Sequence, residues 1–517
     1  MSQQTSSIGQ LIDHLSHGWK ADYSGLTSEF TQLWQEKLNA KVESQVSGKN
    51  SLRFISDLSE IRLRGMNDVP CLLTAGDGAE DLRDFWRKSA GLGRLPLVIA
   101  LSEHAYRQAE YLITDARGLL LSSIQTKQLL TAASSREFLI KQLNRQIPKQ
   151  RLIPFDFLRP AEGGMFFGRG SELSRLLLED QTSFAIAGPG KVGKSSLIKH
   201  YQRQAIRKRD PRGSYRYYID FYDCQDTSPD GVARFFAMKI DPSKKSSRML
   251  ASGLLDFMKY QAFCHGGALD LLLDEVDEVC HGKAFYLLGE AAKEGYCRLV
   301  LGGKGMLLQT MLSDKSPLRS RLELIKLEPL DPDSARQLFL EPLQCLELKI
   351  SDEGGLIKRI FSMTGRLPHL LQLFGKKLAT LAIEGNISEI TAQHVETLKW
   401  DFSVAQMFTD PLLRLADAEA RLLGLLLIKD SRHEFSVPVI QQLAAPENLP
   451  SDLRKITKLC NDLVISNVLS WCGGKYCVAN ESLYSYASNL GLLADEALDE
   501  ARMAVRKQNE LFPLAVY

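Results

Sequence analysis

The chain has 517 residues, 44% of them hydrophobic and 24% charged, and 64 Lys and Arg stand against 62 Asp and Glu for a formal net charge of +2. That length exceeds one ordinary core and predicts three or four domains of soluble globular composition. The balanced charge gives no push toward nucleic acid or anionic lipid, so any basic surface is local. Nine cysteines without a repeated C-x-x-C pair predict reduced thiols. The opening MSQQTSSIGQ has neither a charged n-region nor an apolar h-region, and no apolar run reaches spanning length. A cytoplasmic protein without a membrane partner is expected.

In chain order, IGQLIDHL and SEFTQLWQEKL within residues 1–45 have the spacing of amphipathic packing helices. From about residue 50 to 135, strand-like runs at 70–74, 96–101 and 118–122 alternate with helical runs at 80–89 and 103–113. This rhythm predicts a small α/β domain with a partly parallel sheet. Residues 136–163 carry Pro148, Pro154 and Pro160 among basic residues and read as a linker.

The chemistry is concentrated at residues 184–200, FAIAGPGKVGKSSLIKH. Gly188, Gly193, Lys194 and Ser195 fit G-x-x-x-x-G-K-[ST] between an apolar strand and a helix pattern. Glycines let consecutive N–H groups turn inward onto phosphate oxygens, and the helix N-terminus adds about half a positive charge behind them. The loop Gly188, Pro189, Gly190, Lys191, Val192, Gly193, Lys194, Ser195 and Ser196 is therefore the candidate site for ATP or ADP. Lys194 is assigned to the β- and γ-phosphates and the Ser195 hydroxyl to Mg²⁺. Residues 215–223 (YRYYIDFYD) read as a strand. At 269–278, LDLLLDEVDE is an apolar strand ending in acids. Asp274 is the candidate Mg²⁺ partner, and Glu275 the group that orients or deprotonates the attacking water. Asp277 and Glu278 are expected to cap the following segment or face solvent.

Ahead of the loop, MFFGRGSELSRLL (165–177) resembles the F-x-G-R-x-x-E-L entry motif of STAND ATPases of the AAA+ superfamily and their origin-recognition cousins. The resemblance covers 165 to about 400 and implies that Phe167, Gly168 and Arg169 lie near the base. The strand 298–301 ends in Gly302-Gly303-Lys304, where that family carries a polar group sensing the γ-phosphate; here glycines occupy that edge, with Lys304 the substitute beside them. SPLRSRL (316–322) is similar to the family's S-P-L-x-N-R-F stretch and implies that Arg321 reaches phosphate in its own or a neighbouring subunit, with a surface salt bridge as the alternative. TGRLPHLLQL (364–373) resembles the G-x-x-P-x-L-L-Q signature, which carries adenine contacts onto Gly365 and Pro368. The family implies nucleotide-driven oligomerisation or a partner protein. A fainter resemblance links 96–130 to restriction-endonuclease-like domains, with Asp57 and Glu60 the nearby acids. The paired acid-x-Lys of that family does not follow them.

Beyond the lid, helix patterns at 416–429, 437–444 and 451–465, the last capped by Ser451, precede a hairpin at 468–478 with a Gly-Gly turn. They read as a winged-helix-like module, and Arg454, Lys455, Lys458 and Lys475 make DNA contact through 451–478 the alternative to protein docking. The expected architecture is multidomain α/β. Its parts are an N-terminal domain (1–135), a linker (136–163), a P-loop AAA+-like parallel-sheet core (164–330), a helical lid (331–410), a winged helix (411–488) and a helical tail (489–517). The expected function is an ATP-hydrolysing switch. A DNA-directed ATPase and an ATP-gated nuclease are the alternatives.

Overall fold

The computed structural model describes residues 2–17, 23–47, 51–75, 79–90, 94–113, 117–179, 181–207, 215–243, 248–312, 318, 321–415, 417–430, 432, 434–480 and 482–511. Its first sheet has the order β1 (Lys41–Ser47), β2 (Ser51–Asp57), β3 (Val69–Thr74), β4 (Leu97–Ala100), β5 (Leu119–Ser122). The first three strands pair antiparallel and the last three parallel. The parallel half follows the expected strand–helix alternation. The antiparallel pair β1–β2 was not anticipated, because Lys41–Ser47 is polar and carries no core-facing alternation. Trp34 packs edge-on against Phe54 at 6.0 Å between ring centroids, and its indole N–H donates to Ser56 Oγ at 3.0 Å. The buried ring thus keeps its one polar atom satisfied.

The stretch expected as a linker is instead a docked part of the fold. Its helix Ser135–Gln146 buries Leu139, Ile140 and Leu143, and its side chains bind the lid. Asn144 donates to the Cys345 carbonyl at 2.8 Å and Lys149 to the Leu346 carbonyl at 2.7 Å. Beyond it, Gly164 is buried so tightly that a Cβ there would fall onto the Ser59 carbonyl oxygen.

The second sheet is all parallel, in the order β10 (Leu322–Lys326), β6 (Ser183–Ala187), β9 (Cys297–Gly303), β8 (Leu269–Asp274), β7 (Arg216–Asp220). β6 and β8 are buried throughout, which is why they read as continuous apolar runs rather than alternating ones. β10 is buried only at Leu322 and Ile325, and its sequence gave no strand signal. Below the sheet, Asp270 is held by Arg216 at 2.6 Å, and the Tyr201 hydroxyl donates to it at 2.8 Å.

A helical region follows. Pro332–Cys345 starts on an Asp331 cap that accepts from Ser334 N, and Pro368–Glu384 starts on Pro368 at its first turn. Between and after these helices the short β11 (Lys349–Ile350) and β12 (Glu389–Ile390) pair in parallel. The last part comprises the helices Ala418–Lys429, Val437–Ala444 and Leu453–Ile465 and the sheet β13 (Glu434–Phe435), β15 (Lys475–Val478), β14 (Leu469–Cys472), with β15 central. The expected hairpin is β14–β15, turned by Gly473 and Gly474 at φ +57° and +89°. The cap of Leu453–Ile465 is Asp452, not Ser451, since Asp452 accepts from the Arg454 and Lys455 amides. No helix among the described residues is long and apolar enough to cross a membrane.

Replacing Gly164 by Ala should force the 162–166 segment off Ser59 and lower stability by about 1–3 kcal/mol, as overpacking does. Calorimetry should show the first unfolding transition moving down, and an unchanged transition would contradict the packing described.

Candidate functional site

β6 runs into the loop 188–193, and the helix Lys194–Arg207 follows. Gly188 lies against the Leu327 carbonyl, where a Cβ would meet oxygen at 2.6 Å. Lys191 and Gly193 take positive φ, +65° and +106°, the kind of backbone that gathers N–H groups into an anion-binding concavity. Lys194 is buried, and its ammonium donates to the carbonyls of Gly188 at 3.0 Å and Pro189 at 2.9 Å. Burial brings its pKa down to about 8 against the opposing pull of Glu275, and Lys304 lowers it further.

The acids arrive from β8. Asp274 is 1% exposed. Its carboxylate accepts from Tyr218 Oη at 3.0 Å and from the Glu275 amide at 3.0 Å, and the Ser195 hydroxyl lies near enough to act on it. Burial raises its pKa; the nearby Ser195 hydroxyl and the Tyr218 hydrogen bond oppose the rise, and the Glu275 charge adds to it. Between β8 and the loop strand β6 lies β9, and it is Gly302 that leaves room: a Cβ there would meet Asp274 Oδ1 at 2.5 Å and Ile198 Cδ1 at 2.8 Å. Glu275 sits at φ +51°, a left-handed conformation that is uncommon for a side chain of this kind. It pairs with Lys304 Nζ at 3.2 Å. Asp277 caps a helix from another part of the chain rather than the segment after it. It accepts from the amides of Lys304 (2.6 Å), Met306 (3.1 Å) and Leu307 (3.2 Å), which fixes the turn carrying Lys304 beside Glu275.

Lys194 and Glu275 open into a cleft of about 290 Å³ whose lining includes Phe167, Arg169, Lys191, Val192, Gly193, Lys194, Ser195, Ser196, Glu275 and Pro368, while Asp274 stays buried behind it. Pro368 stands 3.8 Å from where a Gly193 Cβ would project, so the lid reaches the phosphate loop. Lys191 Nζ lies 3.4 Å from Met407 Sδ on the Phe402–Leu413 helix. The Ser196 hydroxyl accepts from the Ala161 amide at 2.9 Å. Phe167 is buried beneath the Arg62 guanidinium, 4.5 Å from its ring centroid. Arg169 lines the cleft with its guanidinium already engaged by Glu172, by the Val192 carbonyl at 3.3 Å and by the Glu328 carbonyl. Gly168, at φ +67°, packs on Ser334 and Leu330 at the start of the lid, and Gly190 has open space around it.

Two expected contacts lie elsewhere. Arg321 binds Glu290 at 2.9 Å and does not line this cleft, so within one chain the salt-bridge alternative holds. Gly365 is the left-handed cap of the Glu353–Thr364 helix, where a Cβ would stand 3.8 Å from the Ala479 carbonyl oxygen, and it also lies off the cleft. Of the SPLRSRL stretch, Ser316, Pro317, Arg319 and Ser320 fall outside the described residues. Asp57 accepts from the Ser59 amide at 3.1 Å and Glu60 from Asn39 at 2.8 Å, both structural bonds of the first domain. Sequence reading missed the wall formed by Phe157, Leu158, Arg159, Pro160 and Ala161, as well as His369 and Gln372. No motif marks the wall. His369 was signalled only by standing next to Pro368.

Strand order and loop together define a P-loop α/β fold, with the loop following the buried strand β6 and the acids ending β8. No protein-family model and no curated protein matches the chain. Among solved structures, a Walker-type ATPase of Pyrococcus abyssi is similar at 16% identity and TM-score 0.49, over 65% of this chain and 99% of that one. The ORC2 protein of Aeropyrum pernix, in ADPNP–ADP complexes, is similar at 14% and 0.49, over 68% and 98%. RuvB, the Holliday junction branch migration motor of Thermotoga maritima, is similar at 16% and 0.37, over 64% and 99%. At such values the fold assignment rests on this chain's own strands and loop.

The buried ammonium gives a test free of any ligand. Between pH 8 and 10.5 the unfolded chain binds more protons at Lys194 than the folded one, so this residue's contribution to stability rises with pH across that window. Below pH 8 the folded protein bears the full cost of the charge. Lys194→Met should therefore melt higher than the unsubstituted protein at pH 7, with the advantage shrinking as pH climbs toward 10.5. An advantage that stays constant with pH would contradict the assignment.

Proposed function

We propose that this chain binds ATP and ADP with Mg²⁺ in the 188–196 cleft and hydrolyses ATP as a molecular switch of the STAND/AAA+ type. The observation that carries the reading is that Gly302 leaves the Asp274 carboxylate room against the loop's helix, with the Ser195 hydroxyl near enough to act on it. A hydroxyl from the loop and a carboxylate from the far strand meet there. This is the sparse donor set Mg²⁺ accepts when phosphates and waters complete its shell. Bound Mg²⁺ would supply positive charge to the phosphate oxygens. Lys194 would exchange its two carbonyl partners for β- and γ-phosphate oxygens, and the loop amides would hold the rest. Glu275, at the mouth of the same cleft, would orient and deprotonate the attacking water once released from Lys304. Arg321 would act only on a nucleotide held by a neighbouring copy.

The switch follows from what touches the nucleotide loop. Pro368 from the lid and Met407 from the helix after it both meet it, so a ligand that prefers one arrangement of these parts shifts their populations. The three helices and three-stranded sheet at 417–480 are read as a winged-helix module docked on the core. Ile465, at the end of its third helix, lies against Gly305, where a Cβ would collide with its side chain. This contact favours regulation of the ATPase over service as a free DNA-binding unit. A DNA-directed ATPase is the second reading, because Arg454, Lys455 and Lys458 stay exposed on that helix. It requires duplex binding that weakens steeply with salt.

Lys194→Ala should abolish Mg·ATP binding in a titration, whereas Glu275→Gln should bind ATP and lose about 10²–10⁴-fold in turnover, the range for a lost general base. Equal loss of binding in both variants would contradict the assigned roles.

A further inference from the structure

Behind the 157–161 wall lies a second cleft of about 510 Å³, a size common among small-molecule sites. It shares Arg159, Pro160, Ala161 and Gln372 with the cleft assigned to the nucleotide. One side of it is the lid helix Pro368–Glu384, which contributes Gln372, Lys376, Thr380 and Glu384. Their four-residue spacing makes a single polar ridge about 18 Å long. The other side is the turn after β2 in the first domain, with Ser59, Arg62 and Arg64. Arg64 is fixed there by its amide, which donates to the Leu152 carbonyl at 3.0 Å.

Most charges around this cleft are already paired. Arg62 binds Glu341 at 3.2 Å, Glu162 binds Arg203 at 2.5 Å, and Asp156 lies 3.9 Å from Arg159. Arg64 and Lys376 have no acidic partner among the described residues, and of the lining acids only the exposed Glu384 is left to oppose them. Lys376 rests instead on the Phe157 ring, 5.3 Å from its centroid, at the back of the wall. Gln372 adds a third donor. It is 5% exposed, and its Oε1 is committed to the Asp156 amide at 3.1 Å. That bond fixes which end of the side chain is nitrogen, and it leaves Nε2 without a partner but still accessible. A buried amide donor is seldom left unused in a native protein. Two free cations and one free amide N–H group around a single cleft suit anionic oxygens. We propose that this cleft is a second binding site, taking a small molecule that carries a phosphate or a carboxylate. It stands apart from the nucleotide reading, although its occupant would touch the same Gln372 that borders the other cleft.

The test titrates orthophosphate and, separately, succinate into the full chain carrying Lys194→Ala, so that the phosphate loop is disabled, at constant ionic strength. At least one probe should bind with a dissociation constant on the order of 1 mM, within reach of two charge-assisted hydrogen bonds. Adding Arg64→Gln or Lys376→Gln should weaken that binding about tenfold each. Gln372→Glu keeps the acceptor for the Asp156 amide but replaces the donor with a negative charge, and should weaken it by at least as much. Arg64→Gln gives up no ion pair and should leave the melting temperature unchanged, so its loss of binding reports the site rather than unfolding. Binding of orthophosphate alone would assign a phosphate ester, and of succinate alone a carboxylic acid; either supports the proposal. Binding of neither probe, or binding that survives R64Q and K376Q undiminished and so belongs to an adventitious ion only, would overturn it. Titration of Mg·ATP into the unsubstituted protein decides the nucleotide reading separately.

Discussion

The site depends on a side chain that is missing. Asp274 ends β8, Ser195 follows the loop from β6, and β9 runs between those two strands. Any residue but glycine at 302 would put a Cβ 2.5 Å from the Asp274 carboxylate and 2.8 Å from Ile198 on the loop's helix. The bare backbone at that point lets a carboxylate on one strand reach across its neighbour to a hydroxyl two strands away. Burying an acid this deeply is unfavourable, as the upward displacement of its pKa records. The cost is held in check by two hydrogen bonds, from Tyr218 and the Glu275 amide, which also fix its orientation, and by the nearby Ser195 hydroxyl.

Around that pair, backbone strain gathers where parts of the chain meet. Arg62, Arg169, Lys191, Glu275 and Arg366 all take positive φ. Each serves a junction. Arg366 donates to the Leu330 carbonyl at 3.0 Å, where the core passes into the lid. Arg62 joins Glu341 of the lid at 3.2 Å, the Gly164 carbonyl and the Phe167 ring, so the first domain is keyed to the segment that enters the P-loop core. Such conformations persist only where the surroundings over-determine them.

What could be read from the sequence was what local pattern encodes. The loop, its flanking strand and helix, the acid pair after β8 and the Gly-Gly hairpin are each set by a dozen or fewer consecutive residues, and each lies where expected. What escaped depends on distant partners. Lys41–Ser47 becomes a strand only because β2 supplies its ladder. Leu322–Lys326 becomes one by lying along β6 at the sheet edge. Residues 157–161 looked like linker because prolines punctuate them, yet Asp156 is fastened to Gln372 and Ala161 to Ser196. Glycines 302 and 303 read as the loss of a sensing group, whereas the close approach of Asp274 and Leu307 is the reason that nothing larger fits. Arg321 was read as reaching phosphate in its own or a neighbouring subunit or as making a salt bridge, and within this chain its side chain pairs with Glu290.

The central claim is that loop and far strand share one cation beneath a bound triphosphate. A crystal structure of the full chain with a non-hydrolysable ATP analogue and Mn²⁺ in place of Mg²⁺ tests it most directly, because manganese gives an anomalous signal. The account predicts one peak between Ser195 Oγ and the Asp274 carboxylate, with the phosphates wrapped by residues 188–195. A nucleotide bound elsewhere, or a phosphate-filled loop whose manganese peak lies away from that pair, would contradict it.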